Sequence, residues 1–535
     1  MSPTAPRPPR RPAAAAGLAL LLAGLLASSV PAPAQELKVR ETTLGNGMKL
    51  LLLPRKDEPT IACGWVARVG SVNERPGITG ISHLFEHMMF KGTPTIGTKD
   101  AVKDLEIIAE QEKLQTAMRE EVAKMRAAQR RGELDDLTKP ENRTARYREL
   151  EKQFDELVKA QRDLLVKEEF ERIYAKQGGS GSNAYTTSDM TLYFVTVPKN
   201  KLELWVWMES DRLKNPVFRE FYAERDVVYE ERRLRVESTP TGKLEEAFEE
   251  LFWHSSPYAW PVIGYPSDLP AITKAQADEY YALYYAPNNI TAILVGDFDP
   301  VEAAALAERY FGRIPRGKNP PPEVVTTPPK WDYDVRFTAE AETNPEIEIR
   351  WHTVPFQHRD SYALEILAGL LNGRTGRLDK ALVLPEGAVA TKASASAGGV
   401  MTGAPLKYAG AFSVGAEAKE GKTLAEVEKG ILAEIERLKK EPVPAEELQK
   451  VKNNVAAASF RRLVSNFYIM FQLVHYEGFG DWREMNEAPK KAAAVTAEDV
   501  RRVASTYLTR ENRAVYLVTR KGSAATAAAP AKVKK

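Results

Sequence analysis

HLFEH at residues 83–87, within GISHLFEHMMFKGT at 80–93, is the run from which the rest of this 535-residue chain can be read. A helix advances about 100° per residue, so positions 83 and 87 lie within about 40° of each other and position 86 falls on the same side. His83 and His87 can then grip one metal ion beside the carboxylate of Glu86, the arrangement of a zinc peptidase. The order His-x-x-Glu-His reverses the commoner His-Glu-x-x-His signature. The competing reading is chance: with six histidines and 73 acidic residues, about one chain in a hundred of this composition holds such a match. The surroundings favour the first reading. From Thr60 to Ser71, Ile61, Cys63, Trp65, Ala67 and Val69 alternate with smaller or polar residues, which predicts a half-buried strand. After Pro76-Gly77, the segment Ile78 to Lys91 spaces Ile81, Leu84, Phe85 and Met88 helically, and Gly92 supplies a stop.

A catalytic zinc takes three protein ligands and keeps one open position, so a third ligand has to come from elsewhere. In FYAERDVVYEERRLRVES, residues 221–238, Glu224 and Glu231 stand seven apart and share a helix face. Glu231 would bind, with Glu224 behind it. The segment also reads as a solvated charged helix of Glu–Arg pairs, and Glu230 is a rival ligand.

GISHLFEHMMFKGT, GGSGSNAYTTSDMTLYF at 178–194, ERDVVYEE at 224–231, SSPYAWPVIG at 255–264 and YYAPNNITAILVGDFDP at 284–300 occur in one order along the chain. In these pieces the chain resembles the pitrilysin/insulinase zinc metallopeptidases, in particular the bacterial branch similar to the β subunit of mitochondrial processing peptidase. The resemblance implies one zinc per chain, Glu231 as third ligand and Glu224 as the supporting acid. It also places Asn183 and Ala184 on a strand edge that pairs with substrate by strand addition. Glu231 follows His87 by 144 residues, about twice the family's usual separation. An insertion at about 100–169 accounts for this. It is rich in helix formers, Leu150, Phe154, Leu157 and Leu164 fall on a helical repeat, and the break around 132–142 divides it into a helical hairpin, either projecting or lying over the site.

Arg7, Arg10 and Arg11 precede an apolar run from Ala13 to Val30 and a small-x-small site, Ala32-Pro33-Ala34, before Gln35, which reads as a signal peptide over 1–34. The mature chain is expected to be periplasmic or secreted. Without the leader, 72 basic residues face 73 acidic ones, a net of −1 that implies neither nucleic acid nor an anionic membrane as partner. No later stretch is apolar for long enough to insert stably in a bilayer. Cys63, the single cysteine, excludes an intrachain disulfide. The expected fold class is α+β: two homologous α/β sandwich domains, each a mixed sheet packed by helices, with the hairpin inserted in the first. A Pro-rich linker at 313–335 joins a catalytic domain, 35–312, to a non-catalytic copy, 336–520. In the copy, YALEILAGLL within 361–371 stands where the metal helix would be. A disordered tail is expected over 521–535.

These expectations converge on a secreted zinc endopeptidase acting on peptides or unfolded polypeptides, with Glu86 as general base. The alternative is a non-catalytic or partner-dependent subunit. Relatives enclose their sites with four such domains and this chain supplies two, so the resemblance implies a homodimer or a heterodimer with a related subunit. Some relatives also use an Arg and a Tyr from a C-terminal-half domain or a partner. YAGAFSVGAE at 408–417 holds no such pair, so a separate subunit is expected to supply them. His254, Tyr258 and Trp260 are read as packing residues, and His352, His358 and His475 lack ligand spacing.

Overall fold

Asn46-Gly47 is the hairpin turn its residues predict. In the computed structural model, which describes residues 36–137, 139–398 and 405–522, it turns β1 (Arg40–Thr43) back into β2 (Lys49–Pro54), with Gly47 at φ 90°. The Asn46 side chain donates to Phe311 O and Ile314 O, tying the turn to the end of the first half. β3 (Thr60–Ala67), β4 (Ser180–Thr186), β5 (Thr191–Pro198) and β6 (Ile290–Gly296) complete a six-stranded mixed sheet in the order β1-β2-β6-β3-β5-β4. β4 ends the sheet and pairs only with β5 among the described residues, which leaves its outer edge free. A second sheet runs β7-β11-β8-β10-β9, from β7 (Val335–Ala341), β8 (Glu346–Thr353), β9 (Ala390–Ser396), β10 (Gly410–Ala418) and β11 (Arg513–Arg520).

One face of the first sheet meets the metal-motif helix in an aromatic core: Trp65 stacks on Tyr193 at 4.1 Å, and Phe85 packs on Tyr285. The opposite face is covered by a helix from the far end of the chain, Asn466–Phe479, whose Ile469, Met470, Leu473 and Val474 pack on Ala62, Val66, Leu192 and Ile293. β3 is therefore buried on both faces rather than half-buried, a correction to its alternation pattern. Its second face is made of small residues because a helix sits there; a Cβ on Gly64 would come within 2.8 Å of Met470 Sδ. Glu477 of this helix is fully buried and takes a 2.7 Å ion pair from Lys49, another from Arg68, and a hydrogen bond from Thr291. The second sheet receives the converse loan. The first half's helix Gly242–Phe252 lays Phe248 and Phe252 among Phe337, Tyr516 and Val518. Each half thus finishes the other's sheet.

The fold class is the expected one, hairpin included. Helices Ala101–Arg130 and Ala145–Leu164 pack together around a buried polar seam, Gln111–Gln161–Asp104. Their flank lies against helix Phe221–Arg232, where Phe154 meets Tyr222 edge-on and Arg119 donates to the Tyr222 hydroxyl. Residues 314–334 carry neither helix nor strand, yet Trp331 is buried against Phe252, His254 and His352, so this stretch is docked on the protein. The expected signal segment lies outside the described residues, as does the expected tail beyond residue 522. No helix among the described residues is long and apolar enough to cross a membrane.

Candidate metal centre

The metal-motif helix, Ile81–Met88, starts at Gly80, whose φ of 89° and close approach to Ile263 O and Gly264 Cα leave no room for a side chain. The buried Glu74 carboxylate accepts from the backbone N–H groups of Gly80 (2.7 Å) and Ser82 (2.8 Å), filling orphan donors of the first turn. Burial pushes the Glu74 carboxyl up to about 8, against these hydrogen bonds. Ile81, Leu84, Phe85 and Met88 are buried in the core, which fixes the rotation of the helix. His83, Glu86 and His87 are thereby turned towards helix Phe221–Arg232, which runs into a π-helical turn, Arg233–Glu237.

Glu231 Oε2 lies 3.6 Å from His83 Nε2 and 3.4 Å from His87 Nε2, and one donor atom from each residue falls within 4.8 Å of the others. Zinc held at about 2.1 Å in tetrahedral geometry spaces its ligand atoms about 3.4 Å apart, so this donor set fits the ion. The protonation state of His83 fits as well. Burial, and then His87, lowers the His83 imidazole to about 3, keeping it neutral with a free lone pair. Burial alone would lower His87, but Glu224 and Glu231 outweigh it and raise the ring above its ordinary value. Glu224 Oε2 meets His87 Nδ1 at 3.2 Å, which turns Nε2 towards Glu231, and a bound cation would displace the Nε2 proton. Lys91 pairs with Glu224 and helps hold that carboxylate below its usual range, overcoming burial together with His87. His83 Nδ1 is buried and has no hydrogen-bond partner. The rival Glu230 is turned away and pairs with Arg233 at 3.5 Å.

Glu86 stands beside this cluster, with Oε2 accepting from Thr186 Oγ1 at 2.6 Å. Burial raises its carboxyl, against the Thr186 hydrogen bond and the charge of His87; a cation at the centre opposes that shift. Thr186 ends β4, so the hydrogen bond joins the free strand edge to the metal-motif helix. Asn183 and Ala184 lie on the same strand, Asn183 exposed and Ala184 buried. Thr186, Lys91 and Arg235, which pairs with Glu231 Oε1 at 2.8 Å, escaped the sequence reading. Thr186 had one available signal, its place two residues from Ala184 on the same strand face. His254 accepts from Trp331 Nε1, Tyr258 donates to Asp189 and Trp260 donates to Ser71 O, which makes all three packing residues.

A family model described as insulinase, peptidase family M16, matches residues 50–129 and 165–264, and its companion, the peptidase M16 inactive domain, matches 271–455. The chain belongs to the insulinase family. The gap in the match, 130–164, is narrower than the expected insertion and leaves the first hairpin helix inside the family pattern. Among insulinase-family relatives, the chain is 25% identical to the zinc protease PqqE of Helicobacter pylori over 92% of its own length and 95% of that protein's. It is 26% identical to the probable zinc protease PqqL of Escherichia coli, over 56% of this chain and 25% of PqqL. Its fold is that of a Helicobacter pylori protease crystal structure, at TM-score 0.72 and 22% identity, covering 90% of this chain and 99% of the other. Pitrilysin matches at TM-score 0.64 and 16% identity, over 92% of this chain and 46% of pitrilysin.

Proposed function

We propose that this chain is a zinc-dependent endopeptidase that cleaves peptides or unfolded polypeptide segments. The observation that carries the reading is the convergence of His83, His87 and Glu231 donor atoms, with the Glu86 carboxylate beside them. His83, His87 and Glu231 would hold one zinc ion, and Glu224 would orient His87. When bound, zinc supplies Lewis acidity, which acidifies water and polarises a carbonyl. Glu86 takes the proton of the attacking water and returns it to the departing amine nitrogen. Thr186 fixes one carboxylate oxygen for this exchange, and the open edge of β4 offers backbone groups to an extended substrate at Asn183 and Ala184. A substrate strand added there runs past Glu86, because Thr186 closes β4 against that residue.

The reading is tested by metal analysis with peptide cleavage. The purified chain is expected to carry about one zinc per chain, to lose cleavage on chelation and to regain it with added zinc; cleavage that survives complete zinc removal would sink the proposal. Thr186→Val is expected to lower kcat roughly tenfold, the loss of one hydrogen bond to a charged group, with zinc content unchanged and Thr186→Ser restoring the rate. An unaltered kcat in Thr186→Val would remove that residue from the mechanism. A periplasmic site of action is part of the proposal; it rests on the leader-like first 34 residues and on the description of PqqL as a periplasmic protease. We also infer a second subunit, identical or related, and the lack of an Arg-Tyr pair at 408–417 favours a related one.

A further inference from the structure

Cross-strand register on the second sheet gathers like charges on one face, a pairing that sheets ordinarily avoid. Glu346 and Glu348 alternate along β8; Glu346 lies opposite Glu417 of β10, while Glu348 lies opposite Gly415 of β10 and Tyr516 of β11. This face is turned away from the core that takes Ile347, Ile349, Val414 and Ala416. Glu245, from the exchanged helix Gly242–Phe252, joins them, and together they line a cavity of about 380 Å³. Gly415 lies within its floor, where an added Cβ would meet nothing nearer than Ile347 O at 3.8 Å.

Two groups here are left without partners. Glu417 is neutralised by Lys392 at 3.0 Å, Glu348 accepts from Arg350 at 2.9 Å, and Glu245 accepts from Thr241 at 2.6 Å. The Glu346 side chain makes no hydrogen bond or ion pair among the described residues, and burial, then Glu245, raise its carboxyl above the ordinary value against the charge of Lys392, which also lines the cavity. Tyr516 is 4% exposed, and its hydroxyl oxygen is buried with no hydrogen-bond partner. An unsatisfied buried hydroxyl beside an unpaired carboxylate is costly to maintain, and a cation bearing several N–H donors relieves both.

We propose that this cavity binds an organic cation, a guanidinium or ammonium group, held between Glu346 and Glu348 with Tyr516 Oη accepting a further N–H. A divalent metal fits less well, because these carboxylates are too spread to converge on one ion; among the described residues only His83, His87 and Glu231 do so. A guanidinium spreads five N–H donors over a plane and suits acceptors on neighbouring strands. The site is independent of the metal centre, so its test does not depend on peptidase activity.

Calorimetric titration of the full chain with agmatine, N-acetylarginine amide and the neutral N-acetylcitrulline amide tests it. Both cations are expected to bind saturably and the citrulline compound is not. Tighter binding of N-acetylarginine amide identifies the ligand as a basic side chain on a polypeptide, and tighter binding of agmatine identifies a free amine. Glu346→Gln is expected to weaken binding about tenfold while raising the thermal midpoint of the ligand-free protein, since it removes an unpaired charge. Gly415→Leu is expected to abolish binding by filling the cavity. Equal binding of arginine and citrulline compounds, no saturable binding at millimolar concentration, or unchanged affinity in Glu346→Gln would each overturn the proposal.

Discussion

Glu86→Gln protein is expected to keep its zinc and to cleave peptides about 10²–10⁴-fold more slowly, the usual range for losing a general acid–base group. The amide is nearly the same size as the carboxylate and can still accept from Thr186, which meets Glu86 at 2.6 Å, so the helix and the donor set should stand unchanged. The loss should fall on kcat, because the proton is moved only in the transition state. His83→Ala or His87→Ala should instead release the metal, which separates a proton-transfer role from a ligand role by zinc content alone. Wild-type turnover in Glu86→Gln would refute the assignment of the base.

The second large effect is expected far from the chemistry, at Arg219. Its guanidinium, 1% exposed, pairs with the fully buried Asp104 of the hairpin and donates to Lys91 O (2.9 Å), Ile96 O (3.0 Å) and Thr93 O (2.6 Å). It therefore clamps together the hairpin, the loop after the metal-motif helix, and the start of helix Phe221–Arg232. Arg219→Met leaves the buried Asp104 carboxylate without its counter-charge and removes a donor from each of the three carbonyl oxygens, of which Thr93 O and Ile96 O keep each other's backbone N–H. Breaking a buried pair in this way costs about 3–5 kcal/mol. Urea unfolding should show that loss, and zinc affinity should fall with it because Glu231 sits on the helix that is released. The paired change Asp104→Leu with Arg219→Met should recover part of the stability, since apolar groups can replace a buried ion pair at little cost, while Gln161 loses its acceptor on Asp104. A single variant as stable as wild type would show that the clamp contributes nothing.

Features that depend on local spacing were legible in the sequence. His83, Glu86 and His87 share one side of a helix because residues three and four apart are neighbours, and the long helices of 101–164 announce themselves by composition and repeat. The neighbourhood of Glu231 was half legible. Seven-residue spacing put it on one face with Glu224, but a single residue is about 100° of rotation, and only the packing of Val228 and Arg232 decides that Glu231 rather than Glu230 faces the histidines. Features that depend on distant partners were not legible. Nothing around Ile61 to Val69 says that a helix some 400 residues later will cover the strand's second face, and nothing around Trp331 marks a Pro-rich stretch as docked. Thr186 escaped for a related reason, since strand alternation gives two faces without saying which one meets Glu86.

The mutual loan of helices between the two sheets bears on how the chain is made. Until synthesis passes Phe479, β3, β5 and β6 present one apolar side to water, so an emerging chain has no finished N-terminal half in which to rest. Closure across such a distance is entropically slow. That side of the sheet therefore stays uncovered for most of synthesis, and the first half reaches its final packing only after the second half has been made.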